Sequence, residues 1–500
     1  MKHIYSICLV ALICNQAFCQ HYMDNWYFGD NAALNFSTGV PVYQSSPMTG
    51  FEAYATISDS LGNLLFFSNG ISLWDKFGNK MPHGDSLEIA QQQDAPYYGS
   101  SVTQGVIILP LPGSSGKYYV FYIAKGNDPG DINNLQSLMY SVVDMSLNGG
   151  NGDVADGQKN IPVAGCDNYI WEKMTAVKHG NGKDWWLICI SGRLVELDPC
   201  YLEKFLITQD GISAPQFQPY DTVHVAWDAM ETSFSELGQM KFSLSGKKIA
   251  ITRGSYIDVY DFNRCDGMLS NRLTIDSVNL QNYGLEFSND ETKLYATSGL
   301  QTPVKPELNQ ICLDCNIPII TKLYSHATSY NFAQLQVAPD GKIYTGFAEA
   351  GFLGTDARFL SVINYPDSFG VSCDFELASF ELGDSGRIRG GLPNFVNYDL
   401  GALTGADSCG AIININDLNN SSQVKIFPNP ADNYIFLSDK NNNFVACEAV
   451  LFYNSTGVLV KKIVQPTGAL DVSDLAQGIY VVAVTLITEE RYIMKLEILK

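Results

Sequence analysis

The 500-residue chain is acidic, with a formal net charge of −21, and 46% of its residues are hydrophobic. The acidity sits in the body, since residues 423–500 hold seven Lys/Arg against eight Asp/Glu, and it argues against nucleic acid and anionic membrane surfaces as partners. The length excludes a single ordinary domain, while 27 Tyr, 26 Phe and 43 Gly point to strands joined by many turns.

Lys2 and His3 precede an apolar run from Ile4 to Leu12, and Ala17-Phe18-Cys19 offers a cleavage site that leaves Gln20 first. Residues 1–19 are therefore predicted to be a secretory signal peptide cut between Cys19 and Gln20. A competing reading makes Cys19 the acylated residue of a lipoprotein; the bulky Phe18 stands against it. The run falls short of the roughly 20 apolar residues a spanning helix needs. No later segment is long enough either, so no transmembrane segment is expected.

From residue 20 to 400 one pattern recurs: a polar turn, then a run of aromatic and β-branched residues. It reads SDSLGNLLFF from Ser58, PGSSGKYYVFY from Pro112 and HGNGKDWWLI from His179. It returns as SLSGKKIAI from Ser243, SNDETKLYA from Ser288 and APDGKIYTGF from Ala338. Gly or Asn accepts the positive φ of a tight hairpin, and the run that follows suits a strand buried on both faces. One such unit cannot cover both faces, whereas a ring of them can. Six turns, plus one blade shared by the first strands (around Trp26 and Leu34) and GGLPNFVNYDL from Gly390, predict an all-β, seven-bladed propeller. Six and eight blades are the alternatives, and an open tandem of sandwiches is the rival architecture.

The segments NWYFGDNAALNF (25–36), SVVDMSLNGGNGDV (141–154), EKMTAVKHGNGKDWWL (172–187), YDFNRCDGMLS (260–270) and GGLPNFVNY (390–398) are similar to a family of secreted propeller-like proteins of the Bacteroidetes. That resemblance implies the fold and an exported location, and no activity.

After Leu400 a Gly/Ala/Ser/Asn-rich stretch, 401–423, reads as a linker. Residues 424–500 read as a small Ig-like β-sandwich of six or seven strands. Pro428 and Pro430 around Asn429 suit an edge or a strand start. The FPNP start, FYNSTGVLV, LDVSDLAQGIYVV and the closing KLEILK resemble the type A sorting domain of type IX secretion. The matching positions are Pro428, Asn429, Pro430, Gly457, Asp471, Leu475, Gly478 and Tyr480. The resemblance implies passage through the outer membrane by the type IX machinery. It also implies removal of the domain by a sortase-like peptidase within roughly 404–423 and a secreted or cell-surface product.

Chemistry is sparsely signalled. Gly383-Asp384-Ser385-Gly386 has no His segment to activate the serine and reads as a polar turn. No His pair has metal-ligand spacing, and His179 reads as a solvated turn residue. Asn151, Asp153 and Asp156, and separately Asp128 and Asp131, could chelate calcium but lack the EF-hand pattern, so Gly-rich loops are expected. Nine cysteines follow residue 19: Cys166, Cys189, Cys200, Cys265, Cys312, Cys315, Cys373, Cys409 and Cys447. The lone Cys312-x-x-Cys315 suits a loop disulfide better than zinc. Carboxylates for glycoside hydrolysis would come from Asp228, Glu231 or Glu286. Trp185-Trp186 could stack on sugar, or fill a strand with two buried faces. The expectation is a non-enzymatic binding or adhesion scaffold for protein or glycan, with no cofactor, metal or catalytic residue assigned. The alternative is a polysaccharide hydrolase with carboxylates at the channel.

Overall fold

A computed structural model describes residues 21–87, 99–124, 136–166, 169–192, 200–220, 237–277, 281–298, 306–325, 330–349, 355–404, 409, 424–439, 443–454, 459–487 and 491–500. The predicted cleavage site at Cys19 and Gln20, the acids Asp128, Asp131, Asp228 and Glu231, and Gly457 lie outside these residues. The chain divides into two compact units, residues 1–408 and 409–500. Helix among the described residues is limited to short 3-10 turns.

The first unit is a β-propeller of seven sheets among the described residues, every one antiparallel and built from consecutive strands. Blades one (25–45) and two (55–75) have three strands each. Blades three (106–162), four (170–220), five (240–276), six (282–325) and seven (330–381) have four or five. The first strand of each blade is innermost, and from blade one to blade seven it packs on the first strand of the next. Each of the six recurring turns closes the hairpin between the first and second strands of blades two to seven. The backbone repeats with it: Gly62, Gly182, Gly246 and Gly341 donate to Asp59, His179, Ser243 and Ala338 carbonyls at 2.8 to 3.0 Å.

The seventh blade is not the predicted shared one. Blade one forms from residues 25–45 alone, and the segment expected to complete it runs through the middle of the ring as a plug. Among the described residues its β-bridging to a blade is the single pair Tyr54 with Pro393, preceded by the bridge of Asp30 with Arg387 just before the segment. The reason lies in its residues. Pro393 has no N–H for a ladder. Gly391 passes so close to the chain before blade two that a Cβ there would lie 1.8 Å from Glu52 O. Innermost strands also leave backbone groups facing the axis, and these need partners that no further strand supplies. Asn394 meets several of them. Its N–H donates to Tyr54 O at 2.8 Å, and its Nδ2 donates to Met174 O at 3.0 Å and Val106 O at 3.3 Å. Gln104 Nε2 donates to Asn394 Oδ1 at 3.1 Å. Tyr398 OH donates to Ile108 O at 2.8 Å, and Asn397 Nδ2 to Leu244 O at 2.8 Å. The ring closes from blade seven to blade one through the edge-on contact of Trp26 with Tyr344 (centroids 5.8 Å apart) and through the plug.

The second unit is an Ig-like sandwich with seven strands among the described residues, in sheets of three and four. Ile435, Val450, Phe452, Val482, Val484, Leu496 and Ile498 form its core, all fully buried.

Candidate functional site

Aligning the hairpin turns by their hydrogen bonds identifies a layer two residues before each turn. In blades two, three and four it holds Ile57, Leu109 and Val177. In the consecutive blades five, six and seven it holds Lys241, Glu286 and Gln336. These three polar side chains form one buried group. Lys241 Nζ lies 3.2 Å from Glu286 Oε2 and donates to Gln336 Oε1 at 2.5 Å. Glu286 also accepts the N–H groups of Val337 and Phe287, both at 3.1 Å. Burying the ion pair carries a large desolvation cost, which its mutual attraction and these extra hydrogen bonds offset.

Above this floor opens a cavity of about 430 Å³, bounded by the ends of the inner strands of blades four to seven and by Phe395 to Asn397 of the plug. Phe242, Phe287 and Phe395 contribute to its walls, and Asp340 and Asp367 line it as well. Burial pushes the Asp340 carboxyl above its usual range, although Tyr344 OH donates to it at 2.7 Å. Asp367 Oδ1 accepts the Asp290 N–H at 3.0 Å. Asn289 Nδ2 donates to Gly341 O at 2.7 Å, which ties the turns of blades six and seven together. The result is an apolar pocket with a few fixed polar groups, the usual make-up of a ligand site.

Of the residues singled out in the sequence that are among the described ones, Glu286 alone lines this cavity, and it does so paired. A second cluster lies beside the plug. Tyr283 OH donates to Glu52 Oε1 at 3.1 Å, and Thr103 donates both N–H and Oγ1 to Glu172 Oε2 at 3.2 Å. Trp185 and Trp186 are both buried, on opposite faces of their strand, each in a different core cluster. Trp186 Nε1 donates to Arg264 O at 3.0 Å, and Trp185 meets Tyr398 edge-on. Neither offers an open stacking platform.

His179 is not solvated. It is 2% exposed, accepts the Asn181 N–H on Nδ1 at 3.0 Å and bonds Cys265 O through Nε2 at 2.8 Å. The ring must therefore carry its proton on Nε2, and it holds the turn of blade four to that of blade five. Asp153 Oδ1 accepts the His83 backbone N–H at 2.9 Å, and its Oδ2 pairs with the His83 ring Nδ1 at 2.8 Å, which ties the Asn151–Asp156 loop to the chain after blade two. Among the described residues Ser385 meets the Tyr43 hydroxyl, at 3.3 Å. Cys312 and Cys315 are joined as a disulfide, and Cys265 is disulfide-bonded too. The first two, with Asp314, are the one group at metal-binding spacing among the described residues, so the bond removes the thiolates a metal would need.

In the sandwich the FPNP motif acts through its asparagine. Asn429 Nδ2 donates to Lys495 O at 2.7 Å, while Asn429 Oδ1 accepts the Glu497 N–H at 2.9 Å. One side-chain amide thus imitates a backbone partner for the last strand, Arg491–Ile498. Pro428 and Pro430 flank it without donors of their own. Asp471 Oδ1 accepts the Ser473 N–H at 2.9 Å, and Leu475 is buried in the core. Gly478 opens the strand Gly478–Leu486, and Tyr480 OH donates to Ala476 O at 2.8 Å, pinning that strand to the turn before it.

Residues 425–498 match the family described as secretion system C-terminal sorting domain. No curated protein matches the chain. Among solved structures, a Bacteroides fragilis protein proposed as a 6-phosphogluconolactonase is 12% identical with a TM-score of 0.41, over 74% of this chain and 97% of its own. The periplasmic gluconolactonase of Pseudomonas aeruginosa is 10% identical with a TM-score of 0.39, over 80% of this chain and 94% of its own. The β-propeller domain of Myceliophteria thermophila Cps50 is 8% identical with a TM-score of 0.36, over 66% of this chain and 94% of its own. No helix among the described residues is long and apolar enough to cross a membrane.

Proposed function

The chain carries a type IX secretion sorting domain and is a secreted or cell-surface protein; on that premise we propose that its propeller is a non-enzymatic binding scaffold for a glycan or protein ligand. The observation that carries this reading is the cavity over Lys241, Glu286 and Gln336. It has apolar walls and polar groups held in place, and its deepest carboxylate is already engaged by an ammonium and two backbone N–H groups. A general acid or base needs a carboxyl within reach of substrate and able to exchange a proton. Glu286 is arranged to fix a floor.

A polysaccharide hydrolase remains the second reading, because Glu52 and Glu172 gather beside Tyr283 and Thr103 at the plug. Two carboxyls near one axis are what glycoside hydrolysis requires.

The deciding experiment pairs a glycan array with a hydrolysis screen on wild type, Asn397→Trp and Glu172→Gln. Binding abolished by filling the cavity, with no turnover by any form, is the expected result. Turnover that Glu172→Gln removes would replace the scaffold reading with the hydrolase.

A further inference from the structure

The polar side chains that line the cavity of blades four to seven are largely spent on one another. Lys241 Nζ is shared between Glu286 and Gln336. Gln336 Nε2 donates to Val337 O at 3.0 Å, and Ser288 Oγ to Asp290 Oδ1 at 2.6 Å. Asn289 Nδ2 donates to Gly341 O at 2.7 Å, and Asn397 Nδ2 to Leu244 O at 2.8 Å. A sugar ring carries hydroxyls around its edge, and each one stripped of water needs a partner in the pocket. These side chains have few bonds left to give. An apolar group has no such need, and it meets Phe242, Phe287 and Phe395 on the walls.

The charges are arranged by depth. One ammonium, Lys241, and three carboxylates, Glu286, Asp340 and Asp367, line the cavity. Lys241 and Glu286 are buried and cancel. The other two stand nearer the opening, Asp340 half-buried and Asp367 exposed. Both are held in place. Asp340 Oδ1 accepts the Lys342 N–H at 3.1 Å and its Oδ2 accepts from Tyr344 OH at 2.7 Å, while Asp367 Oδ1 accepts the Asp290 N–H at 3.0 Å. Among the described residues neither is ion-paired, and the Lys342 ammonium turns instead to Asn364 Oδ1 at 2.7 Å. Two fixed carboxylates beside aromatic walls favour a cation and repel an anion. The net charge of −21 on the whole chain acts in the same sense at longer range.

Taking this cavity as the binding site, as above, we infer that its ligand is a protein segment: an apolar side chain enters between Phe242, Phe287 and Phe395, and a neighbouring lysine or arginine rests against Asp340 and Asp367 at the mouth. A cavity of about 430 Å³ lies towards the small end of ligand pockets and suits one large side chain with its flanks. The long aliphatic stem of a basic residue lies along apolar wall while its charged head stays in water beside the carboxylates. The same charges select against uronate-rich glycans and phosphorylated ligands.

The test is fluorescence polarisation of the full chain with three labelled synthetic peptides, Ser-Lys-Phe-Lys-Ser, Ser-Glu-Phe-Glu-Ser and Ser-Lys-Ser-Lys-Ser. The first should bind, and the other two should bind at least about tenfold more weakly. Equal binding of the glutamate-flanked peptide, or of the peptide without its apolar centre, overturns the proposal. The double variant Asp340→Asn/Asp367→Asn, which keeps the shape of both side chains, should weaken the first peptide at least about tenfold and erase its advantage over the glutamate-flanked one. An unchanged affinity in that variant overturns the proposal as well. Asn397→Trp should abolish binding of the first peptide. A neutral glycan that binds wild type, is lost in Asn397→Trp and leaves all three peptides unbound overturns this inference while the scaffold reading stands. Turnover removed by Glu172→Gln overturns the scaffold reading itself.

Discussion

Asn394 is where the ring depends most on a single side chain. Replacing it with Ala removes three side-chain hydrogen bonds, to Gln104, Val106 and Met174, at a position 4% exposed. At about 1 kcal/mol net each, the loss comes to about 3 kcal/mol. Gln104 softens this little, since its Nε2 keeps only Met240 O and its Oε1 already accepts the Met240 N–H. Asn394→Asp should cost more, because it turns a carboxylate towards two carbonyl oxygens in a buried site. Urea unfolding followed by Trp fluorescence measures this cleanly. All six tryptophans precede residue 401, so the signal reports the propeller and not the sandwich. A loss below about 0.5 kcal/mol for Ala, or an Asp variant milder than Ala, would refute the idea that the plug is held by these bonds.

Three further outcomes follow from the same reasoning. Lys241→Met should destabilise the propeller by roughly 3–5 kcal/mol by leaving Glu286 buried without its cation, and Lys241→Met/Glu286→Leu should recover most of that, as read by a double-mutant cycle. Burial alone would raise the Asp258 carboxyl, but Arg253 at 3.0 Å, Thr274 and Arg272 hold it below its usual range. Its contribution is therefore complete above the unfolded value of about 3.9 and is lost as pH falls through the lower folded value; Asp258→Asn should flatten the acid limb of the stability profile. Asn429→Ala should raise hydrogen exchange at the Glu497 amide at least about tenfold, the equivalent of about 1.4 kcal/mol, and unchanged exchange there would remove the clamp role from the FPNP motif.

The strands and hairpins were legible because each turn states its own chemistry: glycine or asparagine where φ is positive, then a run too apolar to stay exposed. The sandwich was legible for the same local reason. What escaped is whatever depends on residues distant in sequence meeting at the axis. Asn394 sits in a segment that reads as a strand, GGLPNFVNYDL, and only the carbonyls of Val106 and Met174 and the Gln104 amide, which its side chain meets, explain its type. His179 looked solvated because the turn around it is polar, while the carbonyl that buries it belongs to Cys265 in the next blade. Lys241 and Gln336 did carry a signal. Once the turns are aligned, they break a column that is apolar in blades two to four, and a polar side chain at a core register in three adjacent repeats asks for a partner.

The plug lies near the end of the propeller's own sequence, and this orders events in time. Blades one to seven are complete by Glu381, but the residues that occupy the axis come last. Just beyond them, Gly401 O accepts from Arg264 at 2.7 Å and Leu403 N–H donates to Gly180 O at 2.8 Å, so the segment leaving the ring is tacked to blades four and five. A closed ring presents few fraying edges, and if its unfolding begins by drawing this keystone out, persistence outside the cell becomes a matter of that extraction step more than of the summed stability of seven blades. A cut beyond Leu403 leaves the keystone in place, whereas a cut a dozen residues earlier would unlock it.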